Sequence, residues 1–297
     1  MSNTAVIKPG NTSLITGGAS GIGLAVATLC RKHGMRVAIV DYSNEYLAKA
    51  KEILGGSEDV ETYQVDVSDL NQLHRLKDKV LERFGSVEFL MLNAGVSAKG
   101  GWNDVDYFHK ILDTNLYGVI NGISTFMPVV TSASGPSAIV ITGSKQGITN
   151  PPGNPAYNAS KAAVKALAEH LSYDLRDTKT SVHLLVPGWT FTGMSGGGPL
   201  SNTEKPAGAW WPEQVADYLY QKMDEGKFYA ICPDNDVTSD MDKKRMLWSN
   251  GDLVDERPAL SRWRETWQDD VKAYMKRDLN DLMGSPNLSQ MGNEIEE

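Results

Sequence analysis

Cysteine is nearly absent: Cys30 and Cys232 are the only two in 297 residues. They lie far apart and match no metal-ligand spacing such as C-x2-C, so two free thiols are expected. The five histidines, His33, His74, His109, His170 and His183, are scattered over separate segments. They offer no ligand spacing either, and no metal is expected. Positive charge is also in deficit, with a formal net charge of -8. Nucleic-acid binding needs clustered positive charge to neutralise phosphates, so DNA and RNA are not expected partners. No apolar run reaches the ~18 residues of a membrane span. The first ten residues lack the basic-then-apolar layout of a secretory signal. No membrane association is expected, and the expected location is cytoplasmic. There is no evident internal repeat.

The composition, 41% hydrophobic and 22% charged, suits one soluble domain of ordinary or slightly large size. Up to Cys232, short apolar runs alternate with longer segments of helical period. Strands are predicted over 12–16, 36–40, 61–65, 88–92, 138–142, 181–186 and 228–231, and helices over 22–33, 44–54, 70–84, 105–130, 155–177 and 212–224. Seven strands with helices between them point to an α/β fold: a doubly wound, Rossmann-type parallel sheet with helices on both faces. Composition changes near Cys232-Pro233, and residues 233–297 carry most of the net negative charge. Leu260, Trp263, Trp267, Val271 and Tyr274 recur at helical spacing, so a helical C-terminal extension is expected, docked on the same domain or on a neighbouring subunit. Lys243-Lys244-Arg245 reads as a solvated face, and the chain from Gly284 onward as a frayed end.

The first strand runs into Gly17-Gly18-Ala19-Ser20-Gly21-Ile22-Gly23 and then an apolar helix. Gly17, Gly21 and Gly23 form a G-x-x-x-G-x-G pattern. Such a turn lets bare backbone approach a pyrophosphate, with the anion at the helix N-terminus. Asp41 ends the second strand, where a carboxylate can accept hydrogen bonds from an adenosine ribose and repel a 2′-phosphate. Neither Gly18 to Ser20 nor Tyr42-Ser43 supplies a cation for that phosphate, so NAD is favoured over NADP. Ser144 follows the fifth strand, and Tyr157 and Lys161 share one face of the next long helix. A unit charge ~4 Å from a phenolate is worth about 4 kcal/mol at an effective dielectric near 20. That interaction could lower the phenol pKa by up to about three units before desolvation opposes it.

With these residues in order, the chain resembles the short-chain dehydrogenase/reductase family, in its compact single-domain branch, over about residues 11–232. The resemblance implies a dinucleotide-binding and catalytic domain over 1–232, with 233–297 as an extension outside the shared core. Asp66-Val67 resembles the family's adenine-binding pair, Asn93-Ala94-Gly95 its cofactor-cleft segment, and Asn115 its tetrad asparagine. Pro187-Gly188 with Thr192 resembles the segment facing the nicotinamide, where Thr190 stands in place of a more usual branched apolar residue. The resemblance implies that Ser20 and Ile22 of the glycine turn also contact the cofactor.

The implied activity is an NAD-dependent interconversion of a secondary alcohol and a ketone. Tyr157 would act as acid/base, Lys161 would lower its pKa and hold the nicotinamide ribose, and Ser144 would hydrogen-bond the reacting oxygen. Asn115 would hold a water linking Lys161 to solvent. Trp189, Phe191 and Met194, with Trp102, Trp210 and Trp211, are candidates for an apolar pocket, so the expected substrate is medium-sized and substantially apolar. Three consecutive glycines, Gly196 to Gly198, suit a mobile lid. Lys99 and Lys145 are candidates for attracting an acidic group, or else solvated. The resemblance also implies a homodimer or homotetramer assembled through helices centred on 116–126 and 162–171. A competing reading keeps the fold and nucleotide binding but makes the protein a redox-responsive interaction module. The complete set of Ser144, Tyr157, Lys161 and Asn115 favours the enzyme.

Overall fold

Seven short segments, most of them rich in apolar and β-branched residues, form strands: β1 (Thr12–Thr16), β2 (Arg36–Asp41), β3 (Val60–Gln64), β4 (Phe89–Leu92), β5 (Ser137–Thr142), β6 (Thr180–Val186) and β7 (Tyr229–Ile231). This computed structural model describes residues 3–56, 58–198 and 200–284. The strands make one sheet in the order β3-β2-β1-β4-β5-β6-β7, all parallel. β1, β4 and β5 are buried along their whole length, as a parallel sheet covered on both faces demands.

Successive residues of each central strand serve opposite layers. Ile15, Met91 and Val140 pack with α1 (Gly21–Lys32), α2 (Asn44–Ile53) and α8 (Pro212–Asp224). Leu14, Leu90 and Ile139 pack with α3 (Leu70–Phe84), α5 (Gly118–Thr131) and α7 (Pro155–Asp174). From β1 the chain winds outward through β2 and β3, then returns to β4 and winds the other way. That reversal opens a crevice at the carboxyl ends of β1 and β4, the usual ligand position in such sheets.

Two helical expectations are corrected. The segment 105–130 is not one helix: α4 (Val105–Leu112) and α5 are joined by a π-helical turn, Asp113–Tyr117, closed by Gly118 N donating to Asp113 O. The widened turn carries Asn115, whose buried side chain bonds elsewhere. The 260–274 periodicity is only partly α-helical. Leu260 has φ +57°, so the chain makes two 3-10 turns before α10 (Gln268–Lys276) begins. A four-residue α6 (Gln146–Thr149) lies between β5 and α7.

By its contacts the chain divides into two compact units, Met1–Asp236 and Val237–Glu297. The second contains α9 (Ser239–Val254), α10 and α11 (Leu279–Met283). α9 is not among the helices expected from periodicity, although Thr238 caps it by accepting from Met241 N and Asp240 and Asp242 occupy its first turn. Trp248, 3% exposed, is the centre of this unit. Its indole donates to Ser261 Oγ at 2.8 Å, Tyr274 packs edge-on at 4.9 Å, and the Arg257 guanidinium lies 4.3 Å from its ring. Asp252 holds both Arg257 and Ser261. Residues from 285 onward, where a frayed end was expected, lie outside the described residues. Among the described residues no helix is long and apolar enough to cross a membrane.

Trp248→Ala should destabilise this unit by about 3–5 kcal/mol, as for other buried aromatic truncations. Limited proteolysis of the full chain should then show faster cleavage within 237–284. Cleavage at the parental rate would mean that Trp248 does not organise the unit.

Candidate active site

The turn after β1 is shaped by what glycine lacks. Gly17 and Gly21 have φ +62° and +51°. A Cβ on Gly17 would stand 2.8 Å from Ala94 Cα, and one on Gly23 only 2.2 Å from Gly17 O. A Cβ on Gly21 would meet Thr192 Cγ2 at 2.9 Å, so the loop after β6 lies against the start of α1. Ser20 is the N-cap in extended conformation with no side-chain cap bond, leaving that helix end to other acceptors. Ile22 packs against the core beneath.

Asp41, 8% exposed, accepts from Ala19 N at 3.4 Å and Ser43 N at 3.2 Å. Burial pushes its carboxyl up, and the bonds from Ser43, Ala19 and Tyr42 oppose that. It does not cap α2, because Ser43 does so by accepting from Tyr46 N. Asp41 therefore sits beside the glycine turn, tied to it. Bare backbone, an uncapped helix N-terminus and a neighbouring carboxylate together fit the pyrophosphate and ribose of a dinucleotide.

Asn93, Ala94 and Gly95 follow β4 across the crevice. Asn93 N and Ala94 N both donate to Thr16 Oγ1, Asn93 Nδ2 donates to Thr16 O and Gly17 O, and Thr142 Oγ1 donates to Asn93 Oδ1. One side chain thus fastens together the ends of β1, β4 and β5. Asp66 and Val67 lie beyond β3. The exposed Asp66 carboxylate accepts from Ser68 N and Oγ, and Val67 packs on Gly118 with its carbonyl held by Asn121.

Four residues come together past β5. Lys161, 4% exposed, donates from Nζ to Thr142 O at 2.9 Å. The same Nζ lies 5.8 Å from the centroid of the Tyr157 ring and 3.6 Å from where a Gly95 Cβ would be. Ser144 Oγ accepts from Gln146 N at 3.2 Å, and its hydroxyl acts to lower the pKa of the neighbouring Tyr157 phenol. Asn115 is fully buried. Its Oδ1 accepts from Val96 N at 2.7 Å and its Nδ2 donates to Val96 O and to Ser160 Oγ, which in turn donates to Tyr157 O. The Asn115 amide therefore ties the cleft segment to α7, and its Oδ1 lies 3.3 Å from the same Gly95 Cβ position. Gly147 lets α6 press on α7, since a Cβ there would stand 2.5 Å from Lys161 C.

The electrostatics correct one expectation. Burial is the largest influence on both groups. It pushes the Tyr157 phenol above its ordinary value of 10.0, opposed only in part by the Ser144 hydroxyl, and it pushes the Lys161 ammonium down to about 8. Burial shifts each group towards its neutral form: at neutral pH Tyr157 is protonated and held as the proton donor, while Lys161, at about 8, still carries most of its charge.

After β6, Pro187 and Gly188 lead to Thr190, whose hydroxyl donates to Gly188 O, and then to Thr192, which shares a capping box with Ser195. Phe191 N donates to Trp210 O, and Trp210 N donates to Trp189 O, closing a loop at its base. Phe191 is buried with Trp211 edge-on at 5.7 Å, whereas Trp189, Met194 and Trp211 are exposed and can line a substrate. Trp210 packs on Tyr218. Trp102 is 80% exposed beside Phe108. Lys99 is exposed. Lys145 is not solvated, because its Nζ lies 3.3 Å from Asp234 Oδ2, a pairing that sequence periodicity cannot reveal across 89 positions. Among the described residues no group of three or more His, Cys, Asp or Glu is placed to hold a metal ion.

The chain matches the short chain dehydrogenase family over residues 11–199. It is 29% identical to 1-deoxy-11-beta-hydroxypentalenate dehydrogenase of Streptomyces avermitilis, over 80% of this chain and 90% of that one. It is 30% identical to an NADP-dependent (R)-specific alcohol dehydrogenase of Lentilactobacillus kefiri, over 62% and 74% of the two chains. A short chain dehydrogenase/reductase of Burkholderia phymatum, solved in complex with NAD, superposes with a TM-score of 0.76 at 27% identity, covering 85% of this chain and 97% of that one.

The buried ammonium makes a stability prediction. A base whose pKa falls on folding, from 10.5 to about 8 for Lys161, penalises the folded state most below about pH 8, and the penalty fades as pH rises towards 10.5. The melting temperature of Lys161→Met relative to the parent should therefore be more favourable at pH 7 than at pH 10. A difference independent of pH would contradict the depressed value.

Proposed function

The chain belongs to the short-chain dehydrogenase/reductase family, and on that footing we propose that it interconverts a secondary alcohol and a ketone with NAD(H). The proposed substrate is medium-sized and substantially apolar, and the proposed assembly is a homodimer or homotetramer in the cytoplasm. The observation that carries the reading is the Ser144–Tyr157–Lys161 cluster at the end of β5, across the crevice from the glycine turn.

The nicotinamide supplies the hydride donor for reduction and the hydride acceptor for oxidation. Tyr157 holds a proton on its phenolic oxygen and gives it to the ketone oxygen during reduction; as phenolate it takes the alcohol proton during oxidation. Ser144, beside that phenol, is placed to donate to the same substrate oxygen and to stabilise negative charge developing there. Lys161, fixed by Thr142 O and close to Gly95, is placed to hold the nicotinamide ribose. Asn115 keeps the Val96 segment and α7 in register. The exposed Trp189, Met194 and Trp211 support an apolar substrate face. Exposed Tyr117, Ile120 and Tyr173, on the π turn, α5 and α7, support self-association through those helices.

The two cofactors named among the relatives differ, and Asp41 supports NAD here. A 2′-phosphate would bring like charge against a carboxylate already seated among backbone amides.

A panel of secondary alcohols, followed by NADH absorbance, tests the reading. NAD should exceed NADP at least tenfold in kcat/KM, worth ~1.4 kcal/mol, and equal values would contradict the role of Asp41. Tyr157→Phe should lower kcat by ~10² or more with NADH binding nearly intact; near-parental turnover would reject Tyr157 as the acid/base. Since its phenol titrates above 10.0, alcohol oxidation should rise with pH from 7 to 10 as phenolate accumulates, while ketone reduction should fall towards the upper end. Oxidation that declines over this range would contradict the assignment.

A further inference from the structure

Lys145 follows Ser144 directly, so it places a cation one residue from the group proposed to bind the substrate oxygen. Its partner comes from a distant part of the chain. Asp234, three residues past β7, sets Oδ2 at 3.3 Å from Lys145 Nζ, with the two side chains only 5% and 16% exposed respectively. The same Oδ2 accepts from Trp189 N at 3.1 Å, and Oδ1 accepts from Asp236 N at 3.1 Å. A Cβ on Gly188 would stand 2.6 Å from Asp234 Oδ2 and 2.9 Å from Lys145 Nζ, so the bare backbone of Gly188 makes the space in which the pair meets. The ion pair therefore lies where the segments following β5, β6 and β7 converge, against the base of the substrate loop.

We propose that Asp234 is a specificity-determining residue: by neutralising Lys145 at the edge of the cleft, it directs the enzyme towards uncharged alcohols and ketones and away from those bearing a carboxylate. The inference rests on the proposed function and adds the charge class of its substrate. Salt screens a nearly buried pair poorly. A substrate carboxylate arriving here must either displace Asp234 from Lys145 or share one ammonium with a second carboxylate, and both disfavour the anion. Fixed by two backbone amides as well as by Lys145, Asp234 is not readily displaced. Without its negative charge, Lys145 becomes an attractor for anions beside Ser144.

The test compares a neutral methyl aryl ketone with the same ketone carrying a ring carboxylate, read as the ratio of their kcat/KM values. The parental enzyme should favour the neutral ketone. Asp234→Asn, which keeps an acceptor for Trp189 N, should shift the ratio at least tenfold towards the carboxylate. Adding Lys145→Met should return it to within about threefold of the parental value, because the coupled pair is then neutral again. Benzoate titrated into each free protein by calorimetry reads the same effect without turnover, with tightest binding expected in Asp234→Asn. If that variant does not fold, Asp234→Ser carries the same expectation. A ratio and a benzoate affinity unmoved by loss of the carboxylate overturn the proposal, as does a raised ratio that survives Lys145→Met. A parental enzyme that turns over neither ketone rejects the proposed function instead, and the benzoate titration still decides the role of Asp234.

Discussion

An ammonium taken out of water beside a phenol is the constraint around which the site is built. Lys161 is almost wholly buried and keeps a partner only because β5 ends with Thr142 O directed at its Nζ. Desolvation favours the neutral form of each member of the Tyr157–Lys161 pair. That cost is tolerable only in a rigid setting. The surroundings supply it: Gly147 admits α6 against the Lys161 main chain, and Asn115 occupies a π turn from which its amide bonds the Val96 backbone and Ser160. A regular helix through 113–117 would redirect the residues that follow, consistent with the frequent use of π turns at functional positions.

The cofactor side depends on the same strand ends. Asn93 and Thr16 fasten β1 to β4, and Thr142 joins them to β5, so the glycine turn and the Tyr157 cluster share one hydrogen-bonded frame. Movement at one strand end would be felt at both halves of the site. The loop after β6 touches this frame through Thr192 against Gly21 and through Trp189 N on Asp234. Residues separated by long stretches of sequence thereby meet past the carboxyl ends of the strands, on the side of the sheet where the crevice between β1 and β4 opens.

Much of this was legible in the sequence because it is local. Strand and helix periods located all seven strands, each end within about one residue, and the glycine turn and the Tyr157–Lys161 step are short-range patterns. What escaped was either non-local or non-periodic. The π turn adds a residue per turn without changing the hydrophobic pattern on either side. α9 buries little more than Asp242 and Trp248 and so shows hardly any stripe, although its Thr238 cap was readable. Tryptophan spacing over 260–274 imitated a helix, whereas Leu260 at positive φ breaks it. The pairing of Lys145 with Asp234 exists only in three dimensions. The sign of the Tyr157 shift could not come from charge spacing alone, since the burial that decides it is a property of the folded cleft.

The central claim is that burial holds Tyr157 protonated as the proton donor beside the Lys161 ammonium. The most direct measurement is an NMR titration of the free protein carrying 13C-labelled tyrosine, with the Tyr157 resonance assigned by its loss in Tyr157→Phe. The account predicts a Tyr157 midpoint above 10, the ordinary phenol value. A midpoint well below that value would show that the Lys161 charge prevails over desolvation and would contradict the account.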